Sequence, residues 1–331
     1  MSATLTATEC AAQVRIRDFA PGDAARISAL FQRHTPYQRD AAFWLWLNRT
    51  LPVRPSLIAV AEVDGEIAGH YAVLPLELRL PGGGLVLAGQ GVHAFVSPEH
   101  RQNVSIYQVS AHAYRLAQAA GLQFVYGFPN VNYRLVQEKI ERWRSVALFK
   151  AWTKPAGAVA ASAARLSVAN LGDDAQLHAA IGLWEQAELG GAGLRVAGLS
   201  RWWQTRYLRH PQRPYQFHWL VSGGERRGLV VSKVFAAKEE TRAHLVDYVL
   251  AGDQAPGELL AAFESAHVGR VERFVHWPVD AAFTAALQAG GYQPDGFETW
   301  FGLRSLGSAA PDPQLLAASA WRLPMGFSDA F

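Results

Sequence analysis

Hydrophobic and polar residues alternate along VRIRDF at Val14–Phe19, which predicts a short strand behind a flexible head of residues 1–13. Pro21-Gly22-Asp23 makes a turn whose Asp is placed to cap a helix over Ala24–Arg33. Ala41–Arg49, AAFWLWLNR, is apolar almost throughout and predicts a second helix. Ser56–Val63 and Glu66–Leu78 read as strands joined at Asp64-Gly65, a dipeptide that favours hairpin turns. Pro81-Gly82-Gly83-Gly84 then turns the chain into a strand over Leu85–Val96. Ser97–Gln102 reads as a loop, Asn103–Ala120 as a long helix stopped by Gly121, and Leu122–Tyr126 as a buried strand. Pro129-Asn130 opens a helix to about Ile140, and strands follow across Arg142–Thr153.

The small-residue run Pro155–Ala164 reads as a linker near the middle of the chain. Beyond it, Asp174–Glu188 and Ser200–Leu208 predict helices, and Gln216–Ser222, Gly228–Phe235 and His244–Leu250 predict strands. A helix over Gly257–His267, a strand over Val271–His276 and a helix opened by Trp277-Pro278 complete the series. This order repeats the first half. The closest local match sets FVYGFPN at Phe124–Asn130 against RFVHWPV at Arg273–Val279, each an apolar strand broken by an aromatic-Pro step. The pattern predicts an α/β (α+β) chain of two duplicated domains. Two unrelated α/β domains that share a common turn are the alternative.

Composition narrows the class. A length of 331 residues suits two domains, and 50% hydrophobic against 18% charged residues excludes a disordered chain. The formal charge is +3, with the signs interspersed and no basic run of the kind that marks a nucleic-acid face. A small anionic molecule fits better than a polymer. Cys10 is the only cysteine, so an intrachain disulfide, a thiolate zinc site and an iron–sulfur cluster are excluded. His34, His70, His93, His100 and His112 have no ligand spacing, and no metal is expected. The first thirteen residues lack the basic flank and apolar core of a signal peptide, and no stretch reaches about 18 apolar residues. A cytoplasmic setting is expected. Gly-x-Ser-x-Gly is absent, which argues against an α/β-hydrolase.

The element order, VDGEIAGHYAVLP at Val63–Pro75 and VSPEHRQNVSIYQ at Val96–Gln108 resemble the GNAT superfamily of acyl-CoA-dependent N-acyltransferases. YGFPNVNY at Tyr126–Tyr133, RWWQTRYLRHP at Arg201–Pro211 and WRLPMGFSDAF at Trp321–Phe331 look like the tandem type that acylates amino sugars on nucleotide carriers. The resemblance implies two tandem GNAT-like domains, each a mixed, mostly antiparallel sheet flanked by helices. Residues 14–154 would hold coenzyme A, residues 165–308 would form a second domain without a coenzyme site, and residues 309–331 would dock as a tail.

Within that frame, Arg101, Gln102, Asn103, Val104, Ser105 and Ile106 stand where a loop meets a helix N-terminus, the place for a pyrophosphate. Arg101 matches the first position of the family pattern, whereas Val104 and Ile106 replace its small residues. Phe95 and Val96, on a strand expected to splay from its neighbour, would meet the pantetheine amides. His93 on that strand is the candidate general base for the amine. Tyr133 is the candidate acid for the leaving thiolate, and Asn130 caps its helix or orients pantetheine. Tyr126, Asn132, Trp202, Arg206 and Trp277 are candidates for holding the acceptor, with Trp203, Tyr207 and His210 nearby. Gly252–Gly257, the counterpart loop, has no basic residue and carries Asp253, so one coenzyme site per chain is expected.

The expected activity is transfer of an acetyl or 3-hydroxybutyryl-like group from acyl-CoA to a nucleotide-linked amino sugar, in polysaccharide biosynthesis, by direct attack in a ternary complex. Transfer to a peptide, aminoglycoside or other amine is the alternative. A degenerate GNAT-like binding protein is a third reading, favoured by Val104 and Ile106. Neither a nucleic-acid nor a membrane partner is expected. The acceptor is expected between the halves, so residues 1–155 alone should keep coenzyme binding and lose acceptor turnover.

Overall fold

The hairpin expected at Asp64-Gly65 organises the first sheet of the computed structural model. Both residues take positive φ, 51° and 85°, the geometry that joins antiparallel strands with their natural twist. The turn links β2 (Leu57–Val63) to β3 (Glu66–Arg79), which pairs with β4 (Leu85–Val96), while β1 (Val14–Asp18) covers β2. Helix α3 (Ile106–Ala119) then carries the chain to β5 (Phe124–Gly127), which lies parallel to β4. The structure describes residues 12–35, 40–157, 159, 162–190, 193–212, 215–236, 240–252, 254–307 and 311–328. Most of the expected head, parts of the linker and Asp253 lie outside them.

Two helices precede β2. In α1 (Asp23–His34) Gly22 is the N-cap, and Asp23 is turned back instead, accepting from the Ala20 amide at 2.7 Å and pairing with Arg17 at 2.6 Å. The cap expected of Asp23 is therefore not made, because a guanidinium is the stronger partner. α2 (Ala41–Leu45) runs on into a wider π turn over Trp46–Thr50. After β5 come α4 (Val131–Lys139), β6 (Arg144–Lys150) and β7 (Trp152–Pro155).

The second half repeats this plan. β8 (Arg165–Val168) and α5 (Asp174–Gly190) lead through the short β9 (Arg195–Val196) to α6 (Leu199–Trp203), which again continues as a π turn, over Gln204–Leu208. β10 (Gln216–Ser222), β11 (Glu225–Ala236) and β12 (Thr241–Leu250) are antiparallel neighbours. α7 (Pro256–His267) precedes β13 (Arg273–His276), parallel to β12, and α8 (Ala281–Ala289) follows. The shared π extension after equivalent helices supports the duplication that the local sequence match suggests.

The two sheets exchange strands. The first has the order β1-β2-β3-β4-β5-β14-β6, where β14 is Glu298–Ser305, and β9 adds to β3. The second has the order β7-β13-β12-β11-β10-β8. Glu298–Ser305, assigned by the sequence to the carboxy-terminal domain, thus lies inside the first sheet, and β7 leaves the first half to edge the second. The sequence pattern does not announce β14, since its buried residues Phe301, Gly302 and Leu303 are consecutive and a bulge falls among them. Its position is fixed by ladders on both sides rather than by its own alternation.

The face of the first sheet opposite α3 is sealed by the second half and the tail. Trp321, Leu323, Met325 and Phe327 are buried there, with Phe327 stacked on Tyr126 at 5.1 Å. Arg206 donates to the carbonyls of Gly326 and Ser328, and Gln90 to that of Phe327. Three fixed carbonyls hold the tail in one conformation.

Four histidines, His218, His244, His267 and His276, lie in or against the second sheet, and burial lowers all their pKa values, those of His218 and His244 to about 4. Between that value and about 6.5 the unfolded chain binds more protons than the folded one, so stability rises with pH across this window. Thermal unfolding should therefore fall by several degrees from pH 7 to pH 5. Salt-bridged carboxylates such as Glu62 and Glu240, held low by Arg17 and Arg273 respectively, add their loss only below about pH 4.5. An unchanged melting temperature between pH 7 and 5 would contradict the burial of neutral imidazoles.

Candidate functional site

Parallel strands β4 and β5 touch only at Gly89–Val125 and Gln90–Tyr126, and then part. Beyond Gln90 no described strand pairs with that edge of β4, so the ladder opens between the two strands. Gly91 stands at the root. A Cβ there would lie 2.2 Å from the Tyr71 hydroxyl, so glycine lets the strand pass.

His93 is where the strand bends. His70 faces Phe95 and Ala72 faces Val92, leaving Tyr71 opposite both His93 and Ala94, a β-bulge. His93 takes φ 55°, a left-handed conformation uncommon for residues other than glycine, which histidine adopts more readily than most. Its ring packs among Phe31 at 5.3 Å, His70 at 6.0 Å and Phe43 at 6.3 Å. The imidazole therefore belongs to the face lined by α1 and α2. Phe95 lies on the same face, 5.1 Å from Phe31, and the ring of Trp46 stands 4.2 Å from His210 of the second half. Between them Phe43, Trp46, Gln90, Arg206, His210 and Ser328 enclose a small cavity of about 10 Å³, large enough for about one water.

On the other face of the opening the loop after β4 makes a short 3₁₀ turn over Pro98–His100. The amides of Asn103 and Val104 both donate to the His100 carbonyl, at 3.0 and 2.8 Å, and that of Ser105 donates to the Gln108 side chain. These bonds explain why α3 starts at Ile106 rather than at Asn103. The first amides of α3, from Ile106 and Tyr107, remain at an N-terminus where intrahelical acceptors are lacking. Val104 is buried beneath the sheet and Ile106 is half-buried beside it, so neither bulky side chain obstructs the loop. Arg101, Gln102 and Asn103 are exposed, and Arg101 Nε lies 3.4 Å from the Val96 carbonyl.

Behind the opening lies a polar network that sequence reasoning misses. Glu141 is fully buried and accepts from Ser110 at 2.5 Å, Tyr114 at 2.7 Å and Tyr133 at 2.9 Å. With its one proton given to Glu141, the Tyr114 hydroxyl accepts from the Tyr71 hydroxyl at 3.2 Å and from the Trp143 indole at 3.1 Å. Arg304 of β14 bonds the Glu141 carbonyl and lies over the Tyr114 ring. Burial pushes the Glu141 carboxyl up, against the pull of its three hydroxyl donors. The Tyr133 hydroxyl is pushed well above its usual value by burial, so it stays protonated at neutral pH. No local signal links Tyr71, Ser110, Tyr114 and Glu141. Only the fold brings them together.

The sequence candidates thus divide. His93, Phe95, Val96, Tyr133 and the loop Arg101–Ile106 border the opening or its two faces. Asn130 is the N-cap of α4, accepting from the Tyr133 amide at 2.9 Å, and Asn132 is exposed on the first turn. Tyr126, Trp202 and Trp277 are buried core residues: Tyr126 lies under the tail, and Trp277 packs on Phe128 and Phe149. Arg206 is buried and committed to tail carbonyls, and Tyr207 donates to Asp247. The structure gives Tyr126, Trp202 and Trp277 packing positions and Arg206 a tail-anchoring one, where large rings and a buried guanidinium gain from the interface. Among the described residues no group of three or more His, Cys, Asp or Glu side chains is placed to hold a metal, and no helix is long and apolar enough to cross a membrane.

Comparison with known proteins agrees with this geometry. Residues 15–138, from β1 through α4, match the model of the acetyltransferase (GNAT) domain family. No curated protein matches the sequence. Among solved structures, a GCN5-related N-acetyltransferase from Anabaena variabilis ATCC 29413 aligns with a TM-score of 0.66 at 15% identity. It covers 89% of this chain and 73% of its own. A conserved protein of unknown function from Enterococcus faecalis V583 aligns at 0.65 and 13% with the same coverage. A GCN5-related N-acetyltransferase from Kribbella flavida aligns at 0.55 and 11%, over 89% and 71% of the two chains. Residues 15–138 are thus similar to the GNAT acetyltransferase domain, and the tandem fold of these structures extends over 89% of the chain.

Proposed function

We propose that the protein is an acyl-CoA-dependent N-acyltransferase acting on a primary amine. The observation that carries this reading is the parted strand pair β4–β5, followed directly by the N-terminus of α3, within the region that matches the GNAT domain. A pantetheine arm can add to the open edge of β4 as an extra strand would. Its pyrophosphate then meets Arg101 and the first amides of α3. The amine approaches from the aromatic face around His93. Its nitrogen attacks the thioester carbonyl, the C–S bond breaks, and the acyl group passes to nitrogen as the thiolate leaves.

His93 accepts the amine proton in this scheme, and Tyr133 supplies one to the thiolate once its hydroxyl turns from Glu141. A nucleotide-linked amino sugar is the narrower form of this reading. Trp202, Arg206 and Trp277 lend it no support, so the acceptor is set at the level of a primary amine. A thiol-release assay with acetyl-CoA and a panel of amines, amino sugars and nucleotide-linked amino sugars tests the proposal. His93→Ala should lower kcat by about 10²-fold and remove one ionisation from the pH–rate profile. Tyr133→Phe should lower kcat with little change in KM. Wild-type turnover in both variants would remove them from the chemistry, and no amine-dependent thiol release would leave a binding protein instead.

A further inference from the structure

The second sheet opens in the same way as the first. β12 pairs with β13 only from Arg242 to His244, and from there to Leu250 no described strand pairs with it on that side. Crevices outside the carboxyl ends of parallel strands are where α/β sheets place ligands. Here the tail enters the crevice, Arg322 bonding the Tyr248 carbonyl and the Leu323 amide that of Val279, and space remains only beyond it. A cavity of about 740 Å³ lies against the end of β12, between α5, the start of α8 and the tail, within the size range of sites for small organic molecules.

Its lining has a definite chemistry. Small residues, Gly190, Gly193, Gly252 and Ala281 among them, make the space, and Leu199 and Trp321 give it apolar walls. Two guanidinium groups, Arg195 and Arg322, line it against one carboxylate, Asp280. Asp280 is already engaged as the N-cap of α8, accepting from the Phe283 amide at 2.8 Å. Arg322 donates to the Tyr248 carbonyl at 2.6 Å and lies 3.5 Å from Asp247. Arg195 donates to the carbonyls of Gly193 and Glu188. Its pKa is lowered, chiefly by burial and then by the charges of Arg79 and Arg322, so its cationic form is disfavoured where it stands. An anion delivered to the cavity would relieve that penalty.

We propose that this cavity is a binding site for a small organic anion, with a carboxylate or phosphate toward Arg195 and Arg322 and an apolar body against Leu199 and Trp321. The site is separate from the β4–β5 opening and does not depend on the acyltransferase reading. Calorimetric titration of the whole chain with hexanoate and with phenyl phosphate tests it, with hexanol and phenol as uncharged counterparts. At least one anion should bind saturably with one equivalent, and its uncharged counterpart should bind at least about tenfold more weakly. Ala281→Trp, an exposed position that fills the cavity mouth, should weaken the anion by at least about tenfold while the chain melts as the wild type does. Arg195→Gln should do the same. Should that buried variant misfold, the Ala281→Trp result stands by itself. Failure of both anions to bind at millimolar concentration overturns the proposal. So do equal binding of the uncharged probes, undiminished binding in Ala281→Trp, and full displacement by coenzyme A.

Discussion

A chain ended at Pro155 will not form a stable coenzyme-binding domain. The sequence alone suggests the opposite, a first domain complete before the linker. The strand exchange removes that independence. Such a fragment lacks β14, which pairs with β5 through Gly302–Ser305 and with β6 through Glu298–Leu303. Without it β5 and β6 are separated strands with bare edges, and β7 has lost its partner β13. Phe301 and Leu303, both fully buried, leave a gap in the core, and each is worth about 1.5–3 kcal/mol of burial. Losing them with an inner strand's hydrogen bonds and the tail exceeds the stability of most domains, about 5–15 kcal/mol. Aggregation, or a non-cooperative melt by circular dichroism, is the expected result. A soluble fragment that unfolds cooperatively and binds coenzyme A would show that the exchanged strand is dispensable.

Trp321→Ala should be the most damaging single substitution in the tail. Trp321 is buried against Phe124, Tyr126 and Phe301, with Phe301 4.8 Å away, and its indole N–H donates to the Leu315 carbonyl. Truncation removes the largest side chain of that cluster and leaves a cavity, at a cost of about 3–5 kcal/mol. The melting temperature should fall by roughly 10 °C. A drop of only a degree or two in a scanning calorimeter would mean that the tail is not docked as described. Because Arg206 and Gln90 hold Gly326–Ser328 beside the small cavity, turnover should fall even at temperatures where the variant is folded.

What the sequence discloses and what it hides follow from one physical distinction. Elements with their own periodicity or punctuation are legible: the Asp64-Gly65 hairpin, the helix stopped by Gly121, and α4 with its Asn130 cap. Their signals are local. β14 is not legible, because its place depends on edges of β5 and β6 far away in sequence. Around the site, the loop before α3 can be read from strand-loop-helix order, whereas the parting of the strand before it follows only from the family resemblance. The Glu141 network cannot, since Tyr71, Ser110 and Glu141 share no spacing. The tryptophans and Arg206 show a different limit. An aromatic, basic segment suits a nucleotide as well as an interface, and only burial separates the two.

In the proposed reaction coenzyme A lies in the β4–β5 opening with its diphosphate at Arg101 and the start of α3. Calorimetric titration of the 331-residue chain with acetyl-CoA tests that most directly. One equivalent should bind saturably. In Arg101→Glu, an exposed charge reversal that leaves the circular dichroism spectrum unchanged, affinity should fall by at least about tenfold. Absence of binding at millimolar acetyl-CoA, or the same affinity in the charge-reversed protein, would contradict it.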